Sequence, residues 1–132
     1  MSDLHIEIVT PRGLLFTGEA TSCSAPAPDG VFQILPEHAS LLSLLSIGEI
    51  KFIINGHERF MATSGGFLEV KANNVTIMVE TAEWAEDIVI DRARAAEERA
   101  RKRLAEKEGI DAARAELALA RAINRIKVAS HI

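Results

Sequence analysis

The sequence predicts a β-sandwich of antiparallel strands followed by a two-helix antiparallel hairpin, and three observations predict it. Apolar residues alternate with a period of two as far as Val79, the pattern of half-buried strands. All four prolines and seven of the eight glycines lie before residue 67. Charge breaks along the same line: residues 1–86 carry four basic residues against eleven acidic ones, net −7, and residues 87–132 carry eleven against eight, net +3. The breaks meet near Trp84 to Asp87, so the expected organisation is a sandwich domain over 1–86 and a helical hairpin over 87–132.

In the first part Leu4, Ile6 and Ile8 alternate with His5 and Glu7. Val31 to Leu35 form a second run, Ile50, Phe52 and Ile54 face one way in a third, and Val75, Ile77 and Val79 oppose Thr76 and Met78 in a fourth. Turn residues punctuate these runs at Pro11-Arg12-Gly13, Pro28-Asp29-Gly30, Asn55-Gly56, Gly65-Gly66 and Asn73-Asn74. Asn55-Gly56 is the strongest hairpin signal, because both central residues of a type I′ turn need positive φ. Many short strands with such spacing form a sandwich or barrel. Ser64-Gly65-Gly66 leads into the strand Phe67-Leu68-Glu69-Val70, so it is a turn; a phosphate cradle would lead into a helix N-terminus.

The second part is helical throughout. Asp91 precedes an Ala-, Arg- and Glu-rich run to about Lys107, Glu108-Gly109 breaks it, and Asp111 is positioned to cap a second run to about Ala129. On that run Ala112, Ala115, Leu119, Ala122, Ile126 and Ala129 make one stripe, and on the first run Ala93, Ala96, Ala100 and Leu104 make a thinner one. Alanines let helices lie close but bury little area, at roughly 25 cal/mol per Å², so the hairpin is expected to be marginal alone and separable.

The 132 residues are 48% hydrophobic and 26% charged with a net charge of −4, an ordinary globular composition with room for one core and a small appendage. The single cysteine, Cys23, cannot form an internal disulfide. No apolar run reaches the ~18 residues needed to span a bilayer, and Met1-Ser2-Asp3-Leu4 has no signal-peptide character, so a cytoplasmic chain without direct membrane insertion is expected. His5, His38, His57 and His131 are scattered without metal-ligand spacing, and His38 after Leu35-Pro36-Glu37 is better placed for a turn than for base catalysis. The expectation is a non-catalytic protein.

The hairpin arginines carry more information. Glu97 and Glu98 stand four residues before Arg101 and Lys102, and Arg94 has Asp91 and Glu98 in reach, so these form surface pairs. At i±3 and i±4, Arg92, Arg99, Arg121 and Arg125 find only neutral residues or other bases. Arg92, Arg99 and Arg103 share one face by spacing, as do Arg114, Arg121 and Arg125. Two such faces opposed would hold a polyanion; a solvated basic face with counterions fits the same pattern. Nucleic acid fits less well, because the sandwich is acidic and Trp84 is the only aromatic after Phe67.

Taken together, Ile8-Val9-Thr10-Pro11-Arg12-Gly13, Ile34-Leu35-Pro36-Glu37-His38, Ser64-Gly65-Gly66-Phe67-Leu68-Glu69-Val70 and the segment from Arg114 to Ala122 with Asn124-Arg125 resemble the epsilon subunit of the bacterial F-type ATP synthase from end to end. The resemblance implies a flattened sandwich that binds the gamma stalk and the membrane c-ring. It also implies a hairpin that moves between a folded form and an extended form inhibiting ATP hydrolysis in the catalytic head of alpha and beta subunits. Peripheral placement on the cytoplasmic face of the cell membrane, in a complex that translocates protons or sodium ions, follows from the same resemblance. Val31 and His38 fall in the partner-binding part of the sandwich, with Gly30-Val31-Phe32-Gln33 where the family often has Gly-Glu-Leu-Gly and Ser40 where proline is common. Arg114 and Lys127, with Arg121 and Arg125, would face an acidic segment of beta. A free-standing nucleotide-sensing adaptor with no rotary partner is the alternative.

Some family members bind ATP as a regulatory ligand through Ile or Leu, Asp, two variable residues, Arg and Ala. Here that motif reads Ile88-Val89-Ile90-Asp91-Arg92-Ala93, with Val89 in place of the aspartate. A literal match, Ile90-Asp91-Arg92-Ala93-Arg94-Ala95, is shifted by two residues, about 200° around a helix. By resemblance Arg92, Arg99, Arg121 and Arg125 hold phosphates and Glu83 lies near the base. Weak ATP binding is the expectation, with no cofactor required.

Overall fold

The computed structural model describes residues 3–106 and 111–132. Ten strands come first: β1 (Leu4–Thr10), β2 (Gly13–Ala20), β3 (Ser22–Ala27), β4 (Gly30–Ile34), β5 (Leu41–Leu45), β6 (Gly48–Ile54), β7 (His57–Thr63), β8 (Gly66–Lys71), β9 (Asn74–Val79) and β10 (Ala82–Trp84). A 3-10 turn at Ala85–Asp87 leads to helices α1 (Ile90–Ala105) and α2 (Ala112–Ala129). The break expected at Glu108-Gly109 lies outside the described residues.

The strands form two five-stranded sheets, ordered β2-β1-β9-β8-β5 and β10-β7-β6-β3-β4. Their inner faces supply one core: Leu4, Ile6, Ile8, Leu68, Val70, Val75 and Ile77 of the first sheet meet Cys23, Ile34, Ile50, Phe52 and Met61 of the second, all essentially inaccessible. The alternation in β1, β6 and β9 therefore marks the buried face, as period-two side chains must when one side is covered. One pairing is not antiparallel: β1 runs parallel to β9, from His5 opposite Asn74 to Val9 opposite Met78. The hairpins β1–β2 and β8–β9 lie side by side in this sheet, and the chain between them crosses to the other sheet.

Turn chemistry sets several registers. Asn55 and Gly56 both have positive φ, 53° and 77°, and Ile54 pairs with His57, so β6 and β7 close through the expected two-residue turn. The turn expected at Asn73-Asn74 sits one residue earlier: Ala72 and Asn73 have φ of 49° and 67°, and Asn74 already pairs with Lys71. Asn73 is held there by Glu37, whose N–H donates to Asn73 Oδ1 at 2.7 Å, a contact between loops that sequence spacing does not show. At Gly66 a Cβ would lie 2.1 Å from the Met78 carbonyl oxygen, so only glycine permits β8 to pass β9 this closely. The Ser64-Gly65-Gly66 segment is thus the expected turn, carrying the chain from β7 in one sheet to β8 in the other.

The helices follow the stripes. Ala93 and Ala100 of α1 and Ala115, Ala122 and Ala129 of α2 are buried, Ala96, Leu104, Leu119 and Ile126 are half-buried, and Ala112 at the start of α2 is exposed. Asp111 caps α2 by accepting from the Arg114 N–H at 3.1 Å. α1 starts one residue before Asp91, with Val89 at its N-cap and no side-chain cap. The pairs Glu97–Arg101 and Glu98–Lys102 form at 3.4 and 3.7 Å, whereas Arg94 bridges to neither Asp91 nor Glu98. Val128, off the stripe and fully buried, packs with Ala129 against Ala62, Ala85, Ile88 and Phe60. It is this end of α2 that seats the hairpin on the second sheet.

Candidate functional site: the cleft between sandwich and hairpin

Where α2 passes β7 and β10, the small side chains Ala62, Ala96, Ala118 and Ala122 leave a cleft of about 500 Å³. β10 brings Glu83 to its rim, because Glu83 pairs with Ala62 at the sheet edge. From the opposite side α2 contributes Arg121, Asn124 and Arg125. The spacing of one helical turn puts both arginines on one wall.

Arg125 is not an unpaired cation. Its Nη2 donates to Glu83 Oε2 at 3.2 Å, and its Nε lies 2.6 Å from Glu83 Oε1 without the alignment of a hydrogen bond, so the contact is a partly buried ion pair carried by one hydrogen bond. The helix itself offers Arg125 no acid, and its partner lies 42 residues earlier in the chain. Arg121 makes no ion pair among the described residues. The lip of the cleft is fixed by Ser64 and Thr81: the Ser64 N–H donates to the Thr81 carbonyl at 3.2 Å, and the Thr81 N–H donates to Ser64 Oγ at 3.0 Å.

Of the residues singled out in the sequence, the fold thus brings Glu83, Arg121 and Arg125 to one cleft. Arg92 and Arg99 are exposed on α1 and do not line it. Ile88 packs in the cluster under α2, and Ala93 is fully buried in the helix seam. Asp91 lies exposed in the first turn of α1, where its charge favours the positive helix end. Val31 is 75% exposed on the edge strand β4. His38 ends a turn in which its N–H donates to the Leu35 carbonyl at 3.2 Å, and its Nδ1 lies 2.7 Å from the Ala39 carbonyl. Arg114 and Lys127 are exposed on α2.

Two groups of residues escaped the sequence reading. Arg59 stacks over the Trp84 ring at 3.7 Å and donates to Glu86 at 2.6 Å, clamping the chain where strand gives way to helix. Burial opposes ionisation of Glu86, but its own backbone N–H and the Arg59 guanidinium outweigh this and hold its carboxyl below the usual range. The second group is a row across the outer face of the first sheet: Leu44 pairs with Phe67, Phe67 with Met78, Met78 with Val9, and Val9 with Leu14. Leu14, Leu44, Phe67 and Met78 are exposed. Strand register alone lines them up, so spacing within any one strand gives no signal.

A ten-stranded sandwich bearing a helical hairpin docked by one end, with basic side chains of the hairpin facing an acidic strand edge, defines a two-module protein whose second module rests on the first through a small contact. Residues 3–85 match the model for the "ATP synthase, Delta/Epsilon chain, beta-sandwich domain", and residues 86–130 match that for the "long alpha-helix domain" of the same chain. The chain is 49% identical over 124 residues to the ATP synthase epsilon chain of Desulfitobacterium hafniense strain Y51, covering 94% of each. With the ATP synthase epsilon chain of Moorella thermoacetica it shares 43% identity over 134 residues, covering 100% of each. The chain belongs to the ATP synthase epsilon-chain family. Its fold is similar to that of a chain in the Euglena gracilis mitochondrial ATP synthase OSCP/F1/c-ring structure, with a TM-score of 0.79 at 19% identity over 100% of this chain and 83% of that one. A chain of the Tetrahymena thermophila mitochondrial ATP synthase central stalk and c-ring gives a TM-score of 0.61 at 15% identity, covering 98% of this chain and 96% of that one.

Proposed function

We propose that the sandwich, residues 1–86, anchors this chain to the gamma stalk and the c-ring of a proton- or sodium-translocating ATP synthase, and that the hairpin, residues 87–132, restrains ATP hydrolysis when it leaves the sandwich. The observation that carries the reading is the exposed row from Leu44 to Leu14, a continuous apolar band across five strands. Contiguous apolar surface of this kind marks a partner site, and gamma is the occupant that family membership supports. Val31 and His38, at the far edge and in the β4–β5 connection, suit the ring side. The chain has no catalytic part in this reading and sits peripherally on the cytoplasmic face of the membrane; no helix among the described residues is long and apolar enough to cross it.

The hairpin's role is supported by the weakness of its seam. Each buried alanine methyl contributes about 0.8 kcal/mol, so the seam does not commit the helices to one arrangement. Once extended, Arg114, Arg121, Arg125 and Lys127 would meet an acidic segment of beta. Deleting residues 87–132 tests both halves: the shortened chain should still co-purify with gamma and the head, and hydrolysis by the complex should rise. Failure to assemble would refute the anchor, and unchanged hydrolysis the restraint.

ATP as a regulatory ligand is supported by the cleft holding Arg121 and Arg125, which suits phosphates. Two features oppose tight binding: Val89 supplies no carboxylate, and Glu83 already occupies Arg125. ATP bound only to the folded form would stabilise it by about 2.7 kcal/mol at a hundredfold excess over Kd, enough to shift a balanced hairpin.

A further inference from the structure

Among the described residues, every side-chain hydrogen bond or ion pair between the two helices, with the residues just after them, and the sandwich comes from Asn124, Arg125 or His131. α1 makes none. Asn124 Nδ2 donates to the Gly48 carbonyl at 2.8 Å at the start of β6. His131, two residues past the end of α2, lays its imidazole flat on the Phe60 ring, with centroids 3.7 Å apart and planes inclined by 7°. Its Nε2 also contacts the Glu49 carboxylate. Side chains beyond a helix end ordinarily turn to solvent. This one makes two directional contacts with neighbouring strands, because Glu49 of β6 pairs with Ala62 of β7 while Phe60 lies one pleat step along β7 on the same outer face.

We propose that His131, seated on Phe60 and Glu49, is a latch that holds the folded hairpin to the sandwich, with Asn124 on Gly48 as its second point. Between these two points Val128 and Ala129 enter the apolar cluster with Ala62, Ala85 and Ile88. Opening the latch removes the only side-chain polar ties from the helices to β6 among the described residues, and what remains is the Arg125–Glu83 pair on β10 and a small apolar contact. The hairpin then detaches as a unit, with α1 following α2 because α1 has no polar tie of its own. The latch governs the folded-to-extended balance, and its effect on hydrolysis rests on the proposed restraint by the extended hairpin.

The test uses the full chain. Amide hydrogen exchange is measured for wild type, His131→Ala, Glu49→Gln and the double variant. Loss of a charge-assisted contact and a ring stack should speed exchange in α1 and the seam of α2 roughly tenfold in His131→Ala, with β6 and β7 unchanged. Glu49→Gln should give a smaller increase, and the double variant no more than His131→Ala alone, since both substitutions break one contact. Helix exchange within twofold of wild type in His131→Ala, or a rise in β6 and β7 equal to that in the helices, would overturn the latch. The same variants are then assembled with gamma and the catalytic head. Faster helix exchange with deeper inhibition supports both the latch and the restraint, whereas faster exchange with unaltered hydrolysis keeps the latch and removes the restraint.

Discussion

Arg125 of α2 and Glu83 of β10 face each other across the cleft, Nε 2.6 Å from Oε1, so the side chain best placed to hold an anion is already neutralised by the sandwich. An incoming phosphate must displace this carboxylate. Glu83→Gln keeps the shape and removes the charge. ATP titrated calorimetrically should therefore bind the Glu83→Gln chain several-fold more tightly than wild type, and Arg121→Ala should abolish the heat. Weaker binding by Glu83→Gln would mean that Glu83 holds the base and does not compete with the phosphates.

Val89 stands at the N-cap of α1 with backbone φ −86° and ψ 102°, and no side chain caps the helix. Its carbonyl already accepts from the Arg92 and Ala93 N–H groups at 3.1 Å. An aspartate at this position has the extended backbone that capping requires. Val89→Asp should stabilise the hairpin by about 1 kcal/mol, read as slower exchange in the first turns of α1. The same variant should bind ATP more tightly if the family motif operates here. Capping without tighter binding would separate the helical effect from the ligand effect.

Phe67 and Met78 are neighbours in the exposed row of the first sheet. Both point outward, so charged substitutions leave the core intact. Phe67→Glu with Met78→Glu should cost the isolated chain less than about 1 kcal/mol in thermal unfolding and abolish co-purification with gamma. Retained binding would move the anchor elsewhere. Gly66→Ala beside them should behave in the opposite way, unfolding the sandwich, because its Cβ meets backbone that cannot move aside.

His5 on β1 contacts Glu19 at 3.0 Å and Glu7 at 3.5 Å on the same outer face. Its pKa is raised, by the hydrogen bond to Glu19 first, with burial opposing and Glu7 adding. A raised folded-state pKa favours the folded chain fully below the ordinary histidine value of roughly 6.5, and that contribution is lost as pH rises through the folded value. NMR titration should place the His5 midpoint above that of an unstructured histidine, and Glu19→Gln should lower it. A midpoint unmoved by Glu19→Gln would show that the contact is absent in solution.

Cys23 is buried in the core, and burial pushes its thiol pKa up to about 12. The native chain should resist thiol reagents at pH 8 and react fully once denatured. Fast native labelling would show that β3 opens readily.

Local pattern was enough for much of the architecture. Alternation in β1, β6 and β9, the Asn55-Gly56 turn, the alanine stripes and the Asp111 cap all depend on residues within a few positions of one another, and these are the interactions that periodicity records. Tertiary structure decided the rest. It set β1 parallel to β9, lined up Leu44, Phe67, Met78, Val9 and Leu14 from five separate strands, and gave Arg125 a partner 42 residues away. It also divided the arginines, placing Arg121 and Arg125 at the cleft and leaving Arg92 and Arg99 outside it. Helical spacing shows which side chains share a face, but which face meets a strand edge depends on how two modules dock. That docking is fixed by Val128, Asn124 and His131, whose contacts on β6 and β7 lie far away in sequence and leave no period behind.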